Sequence, residues 1–259
     1  MKASAAGRLV LGLQPVRECL RVHGHSVLEV ALATGDSPKL AALERFALDR
    51  GVGSVVRLPR AELDRRAQGG QHQGVMALAP ELALQDWDQV VRRPDLIAMA
   101  LDRIQDPQNF GAVVRSAVAT GGAALLWGEH ASAPLTPATF RASAGAIEHA
   151  TLCRVASLKD GLRAASDAGA QVIGLHAGGT DLLSNIDLRG PTVIVLGNEG
   201  DGLQPAVRRC CTRLASLLRT RSIDSLNASV AAAIALYETV QQRTTAAPEA
   251  APTDPFNSF

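Results

Sequence analysis

The stretch Val193-Ile194-Val195-Leu196-Gly197-Asn198-Glu199-Gly200-Asp201-Gly202-Leu203 constrains the fold more than any other in the chain. A short apolar run meets a turn with three glycines in six positions and two carboxylates. Such a run reads as a buried parallel strand whose C-terminal end opens onto a loop. In open α/β sheets, ligands sit beyond that end. Glycines there let backbone N–H and C=O groups approach a ligand closely. Glu199 is the residue of this turn able to hold or orient a polar partner. The plainer alternative is an αβ connection that only requires positive φ.

The rest of the chain supports an α/β fold with a parallel sheet. The 259 residues suffice for one large domain or two modest ones. With aromatics at only 3%, Ala, Leu and Val must build the core. Residues 1–80 read as a small α/β unit. In it, strands at Val27–Ala33, Val52–Leu58 and Val75–Ala79 alternate with helices at Pro15–Arg21, Lys39–Arg50 and from Pro59. Residues 81–94 read as a linker. Residues 95–243 continue with strands at Leu96–Leu101, Ala123–Trp127, Ala150–Val155, Gln171–His176, Val193–Leu196 and Leu214–Leu218. Helices are expected at Ala112–Thr120, Leu158–Ala168, Leu203–Cys211 and Asn227–Gln242, and Asp106–Gly111 is expected to be loop. Alternation of this kind implies a parallel sheet covered on both faces. Residues 244–259, rich in Ala, Pro, Thr and Ser, are expected to be a disordered tail.

Composition narrows the function classes. A net charge of +1 provides no global attraction to nucleic acid, so any basic surface must be local. The four cysteines, Cys19, Cys153, Cys210 and Cys211, contain no CxxC pair and suit free thiols in a reducing, cytoplasmic setting. There is no 18-residue apolar run to span a membrane, and Met1-Lys2-Ala3-Ser4 lacks the apolar core of a signal peptide.

Two further stretches carry chemistry. Asp106-Pro107-Gln108-Asn109-Phe110-Gly111-Ala112-Val113-Val114-Arg115-Ser116 follows a strand and opens a helix. That position presents free N–H groups and a positive dipole end, suited to phosphate or carboxylate. Asn109 offers a donor and an acceptor, and Arg115 a planar fork for phosphate. An ordinary capped helix with a surface arginine is the alternative. Ser225-Leu226-Asn227-Ala228-Ser229-Val230-Ala231 opens the last helix, where Ser225 and Asn227 are good capping residues. They serve as caps alone or as a polar helix start facing a ligand.

Taken in order, these stretches resemble the SpoU (TrmH-type) branch of the SPOUT RNA methyltransferases. Asn109, Gly111, Arg115 and Ser116 match the family's first motif. Gly197, Asn198, Glu199 and Gly202 match the second, and Ser225, Leu226, Asn227, Ser229 and Ala231 the third. Ser143-Ala144-Gly145-Ala146 resembles a segment shared by these enzymes. Gly12-Leu13-Gln14-Pro15-Val16 and the Gln71-His72-Gln73-Gly74-Val75 loop resemble the ribosomal-protein-L30e-like accessory domain of the bacterial 23S rRNA guanosine-2′-O-methyltransferases.

The resemblance implies transfer of a methyl group from S-adenosylmethionine to a ribose 2′-hydroxyl of structured RNA, by a homodimer whose C-terminal domain forms a deep trefoil knot. It implies catalytic roles for Arg115, Asn109, Glu199, Ser225 and Asn227. It places the cofactor near Gly197, Asn198, Gly202, Leu217, Leu226 and Ser225. RNA contacts are expected from Gln71, His72 and Arg219; for His72, a loop histidine satisfied by backbone is the alternative. No metal is expected, because the sulfonium already carries the positive charge and the six histidines are scattered. One departure stands out. Leu217-Leu218-Arg219-Thr220-Arg221 lacks the proline and glycine usual before the third motif. Three readings remain: a large-subunit rRNA ribose methyltransferase, a methyltransferase for tRNA or another rRNA site, and an inactive RNA-binding or assembly factor.

Overall fold

The computed structural model describes residues 7–130, 132–133, 135–217 and 226–245. The N-terminal unit runs β1 (Arg8–Leu11), α1 (Leu13–His23), β2 (Glu29–Ala33), α2 (Pro38–Asp49), β3 (Val55–Leu58), α3 (Arg60–Ala67) and β4 (Val75–Ala79). Its sheet has the order β1-β4-β2-β3, with β4 antiparallel to β1 and β2, and β2 parallel to β3. Strand β1 was not expected from the sequence. Its Arg-Leu-Val-Leu run is too short to display a period.

The second unit contains α4 (Trp87–Val90), β5 (Ile97–Asp102), α5 (Pro107–Ala119), β6 (Ala124–Gly128), α6 (Pro137–Ala142), β7 (Leu152–Val155), α7 (Leu158–Asp167) and β8 (Gln171–Leu175). It continues with β9 (Asp181–Leu182), β10 (Thr192–Gly197), α8 (Pro205–Arg208), β11 (Arg213–Ser216) and α9 (Ala228–Thr244). Seven strands among the described residues lie in the order β7-β6-β5-β10-β8-β11-β9, every neighbouring pair parallel.

Alternation along the central strands assigns the two faces. Met99 and Leu101 of β5 and Ile194 and Leu196 of β10 join the core under α5, α6 and α9. Ala98 and Ala100, with Val193 and Val195, join the core under α4, α7 and α8. Successive side chains of a strand point to opposite faces, so a strand covered on both must be apolar throughout. That explains the uninterrupted run before Gly197. Each such side chain, fully buried, contributes about 1.5–3 kcal/mol.

From β5 the chain moves outward through β6 and β7, whereas β10 and β8 lie on the other side of β5. The strand order therefore reverses at the β5–β10 pair, where Asp102 and Gly197 lie in register at the C-terminal ends. A crevice at such a reversal is where open sheets bind ligands. Helix α9 crosses the sheet from this edge to the opposite one. There Arg243 donates to the carbonyls of Asp95, Leu96, Leu188 and Gly190.

Residues 81–94 are mostly exposed but are tied to the second unit by buried Trp87, Val90 and Val91. Trp87 is buried, and its Nε1–H donates to the Gly161 carbonyl at 2.8 Å. The loop expected at Asp106–Gly111 is instead the first turn of α5. Asp106 caps the Gln108 N–H and Pro107 occupies a position that needs no donor. The helix expected across Leu203–Cys211 is limited to Pro205–Arg208.

The two units meet across a buried charged seam. Arg8 of β1 donates to both carboxylate oxygens of Glu148, at 2.8 Å and 2.5 Å, and to the Pro80 carbonyl at 2.7 Å. The Arg8 guanidinium lies over the Phe140 ring at 5.0 Å. His23 Nε2 is 2.9 Å from Glu148 Oε2. The turn at Ser143–Ala146 underlies this seam. The buried Ser143 hydroxyl donates to the Phe140 carbonyl.

Candidate active site

Three side chains from three separate segments converge at the C-terminal edge of β5 and β10. Asn109 is the third residue of α5, almost wholly buried, and its Nδ2 donates to Glu199 Oε1 at 2.5 Å. Asn227 Nδ2 donates to the same Glu199 oxygen at 2.9 Å and to Asn109 Oδ1 at 3.1 Å. Residues 90 and 118 positions apart thus share one hydrogen-bonded cluster.

Each member is held by its own element. Gly111 lets α5 press against α6: a Cβ there would lie 2.5 Å from Ala142 Cβ and 2.7 Å from the Thr139 carbonyl oxygen. Any side chain at 111 would push α5, and Asn109 with it, off the sheet edge. Asn227 caps α9, its Oδ1 accepting from the Ser229 and Val230 N–H groups. Those bonds fix which amide atom faces α5, so the Nδ2 group must point at Glu199.

The Glu199 turn is closed on itself. Asn198 and Gly202 exchange backbone hydrogen bonds at 3.1 and 2.9 Å. A Cβ on Gly197 would lie 2.3 Å from the Gly202 carbonyl carbon, so the chain can only fold back this tightly at glycine. Asn198 Nδ2 donates to the Arg103 carbonyl and its Oδ1 accepts from the Gly200 N–H. Glu199 itself is exposed, and Oε2 makes no hydrogen bond to any described residue.

The other predicted residues lie as follows. Arg115 is exposed and outside the cluster. Six residues of α-helix advance about 9 Å and leave a side chain about 120° around the axis, so Arg115 cannot share Asn109's face. Leu217 and Leu226 are half-buried; Leu217 packs against the core under α5 and α9, and Leu226 directly precedes Asn227. Ser225 and Arg219 lie outside the described residues, as does the Leu218–Arg221 departure from the family pattern. His72, expected at an RNA surface, is 3% exposed. Its Nδ1 accepts from the Gly74 N–H at 3.1 Å, leaving Nε2 as donor to Asp64 at 2.8 Å. Both ring nitrogens are spent on holding the 72–75 turn, which corrects the reading of His72 as a base-stacking residue. Gln71 beside it is exposed.

The sequence reading missed Asp102 and Arg103. Buried Asp102 accepts from the Gln204 N–H at 2.6 Å, and burial raises its carboxyl pKa above the usual range. Arg103 sits in the left-handed region, φ +58°, and its guanidinium reaches Asp201 at 3.2 Å and the Gly202 carbonyl at 3.5 Å. Together they grip both ends of the Glu199 turn. No local pattern signals this, because the partners are about a hundred residues away. Among the described residues, no group of three or more His, Cys, Asp or Glu side chains could hold a metal, and no helix is long and apolar enough to cross a membrane.

Comparison with known proteins shows the family. Residues 96–237 match the SpoU rRNA methylase family, and residues 9–85 match the RNA 2′-O ribose methyltransferase substrate-binding family. An uncharacterised tRNA/rRNA methyltransferase of Mycolicibacterium smegmatis is 40% identical over 241 residues, covering 91% of this chain and 76% of that protein. The SpoU methyltransferase AviRb of Streptomyces viridochromogenes, solved in complex with AdoMet, aligns with TM-score 0.76 at 28% identity over 93% of this chain and 92% of its own. The TrmH/SpoU tRNA-modifying enzyme of A. aeolicus aligns over only 62% of this chain and 82% of its own, with TM-score 0.52 at 26% identity.

Proposed function

This chain belongs to the SpoU rRNA methylase family, and from that premise we propose that it methylates the 2′-hydroxyl of a ribose in ribosomal RNA, using S-adenosylmethionine. The target is a guanosine of large-subunit 23S rRNA. The observation that carries the reading is the cluster of Asn109, Glu199 and Asn227: a carboxylate aimed by two neutral amides at a sheet edge built for ligands.

The described part of the cofactor region fits the cofactor. The 197–202 turn offers backbone groups, and Leu217 and Leu226 offer half-buried apolar surface for an adenine. When bound, S-adenosylmethionine supplies an electrophilic methyl on a sulfonium, which leaves as a neutral thioether. The chain's own residues must orient the 2′-hydroxyl and take its proton as the O–CH3 bond forms and the CH3–S bond breaks. Glu199 Oε2 is the acceptor for that proton. Asn109 and Asn227 hold the other oxygen and so fix the carboxylate's direction. Arg115, six residues along α5 from Asn109 and on another face, acts on charge rather than as a base, neutralising the phosphate beside the target ribose.

The N-terminal unit delivers RNA, which favours rRNA over tRNA: the A. aeolicus tRNA-modifying enzyme has no counterpart for over a third of this chain. A homodimer is supported by Val230, Ile234 and Tyr237, an exposed apolar stripe at helical spacing on α9. The strand order supports a trefoil knot: β11 lies between β8 and β9 although those two are consecutive.

Ribose methylation mapped on rRNA from a strain lacking the gene tests the reading directly. One guanosine of 23S rRNA should lose its 2′-O-methyl group and regain it on complementation with the wild-type gene but not with Arg115→Ala. A methyl lost from tRNA instead would move the substrate. No loss anywhere, with no S-adenosylmethionine binding by calorimetry, would leave an RNA-binding factor.

A further inference from the structure

We propose that the hollow between the β5–α5 connection, the 201–205 segment and α8 is a subsite for a backbone phosphate of the RNA substrate, with Arg209 as its cation. The proposal rests on the RNA methyltransferase reading and extends it to a surface that reading does not use. The hollow is open to solvent, has a volume of about 510 Å³ and is lined by Arg103, Asp201, Gln204 and Arg209, among others. A second hollow of about 350 Å³ shares Arg209 as a wall and continues past Lys159, Arg163 and Asp167 of α7.

The charges around these hollows are unevenly matched. Arg163 is paired with Asp160 at 3.0 Å, and Arg103 with Asp201 at 3.2 Å. Arg209 is exposed and makes no ion pair or hydrogen bond through its side chain to any described residue, and neither does Lys159. Asp201, the carboxylate inside the first hollow, is 77% exposed and bound through one oxygen, so it can yield Arg103 to an incoming anion. A planar guanidinium with free N–H groups matches a phosphodiester. No aromatic side chain lines either hollow, which excludes a base-stacking role and leaves the backbone as the partner.

Position ties the hollow to the reaction. Asp201 is in the same turn as Glu199, but the hollow opens on the α8 face, whereas Asn109 and Asn227 belong to the α5–α9 face. RNA with its target ribose at Glu199 would pass over the turn and bring a neighbouring phosphate to Arg209. The anchored turn would then be gripped from both faces when substrate binds.

The test is binding of a large-subunit rRNA transcript, made in vitro, over a salt series, with kinetics on the same transcript. Arg209→Gln should lower the slope of log affinity against log salt by about one and raise KM for RNA about tenfold, with kcat unchanged. Arg209→Glu should do more in the same direction. Arg189→Gln, at the opposite edge of the sheet and paired with Asp187, should leave the slope as it was. S-adenosylmethionine binding by calorimetry should be equal in all four proteins. If both Arg209 variants keep the wild-type slope and KM while the wild type methylates the transcript, the subsite is wrong and the function stands. A wild type that neither binds nor methylates RNA overturns the function, and this subsite with it.

Discussion

Glu148 and Glu199 carry the same side chain into opposite surroundings. The Glu148 carboxylate is wholly buried, bonded to Arg8 through both oxygens and flanked by His23. Both oxygens are already engaged inside the protein. The Glu199 carboxylate is exposed and, among the described residues, bonded through one oxygen, to two neutral amides. A buried carboxylate must be met by a cation or it destabilises the fold. A carboxylate that is to work on a substrate must be aimed without being neutralised. The seam between the units shows the first arrangement and the sheet edge the second.

The largest effect that would break this comparison is at Glu199. Glu199→Gln keeps the size and removes the charge, and should lower kcat by about 10²–10⁴ while thermal stability stays at the wild-type value. Near-normal turnover by that variant would show that the carboxylate is only structural. The converse is expected at the seam. Glu148→Ala leaves Arg8 buried without its partner and should destabilise by about 3–5 kcal/mol in urea titration, with kcat per folded molecule intact.

A smaller, sharper test separates capping from aiming at Asn227. Asn227→Ser retains a capping oxygen for α9 but removes the amide donor to Glu199. Stability should change by only a few tenths of a kcal/mol, and turnover should fall about tenfold to a hundredfold, the loss of one hydrogen bond to a charged group. The smallest effect concerns Asp102. Its folded pKa is raised by burial, so the folded state holds the proton more tightly than the unfolded chain. Stability from this group is therefore full below the unfolded pKa and declines as pH rises through the higher folded value. Asp102→Asn should flatten that decline, which starts at the unfolded carboxyl value of about 3.9, as measured by urea titration from acid upwards, with the Gln204 N–H still bonded to the amide oxygen.

The sequence was most legible where one residue's role depends on its neighbours along the chain. The Val193–Leu196 strand and the glycine turn after it were readable because a two-face burial pattern and a stop signal are local properties. The Asn227 cap was readable for the same reason. Legibility fails where the start signal stands ahead of the helical period: Asp106-Pro107 opens α5 before Asn109, in a stretch that its polar residues mark as loop. His72 had an attractive polar setting in sequence, but Asp64 and the Gly74 N–H claim its ring. Arg8, Glu148 and Arg103 were invisible as partners, since nothing local distinguishes a surface arginine from one that crosses a seam or clamps a turn.

What the sequence by itself determined is most of the longer elements, their alternation, and three short polar stretches that had to meet somewhere if the chain was to bind anything. Periodicity, capping and glycine placement act over a few residues, and that range sufficed. Which stretches meet was decided only by the tertiary structure. Insertion of β10 beside β5 brings Glu199 to Asn109 and Asn227, and helical pitch turns Arg115 away from them. Contacts between residues a hundred positions apart follow from strand order and close packing, and no stretch of the chain encodes strand order alone.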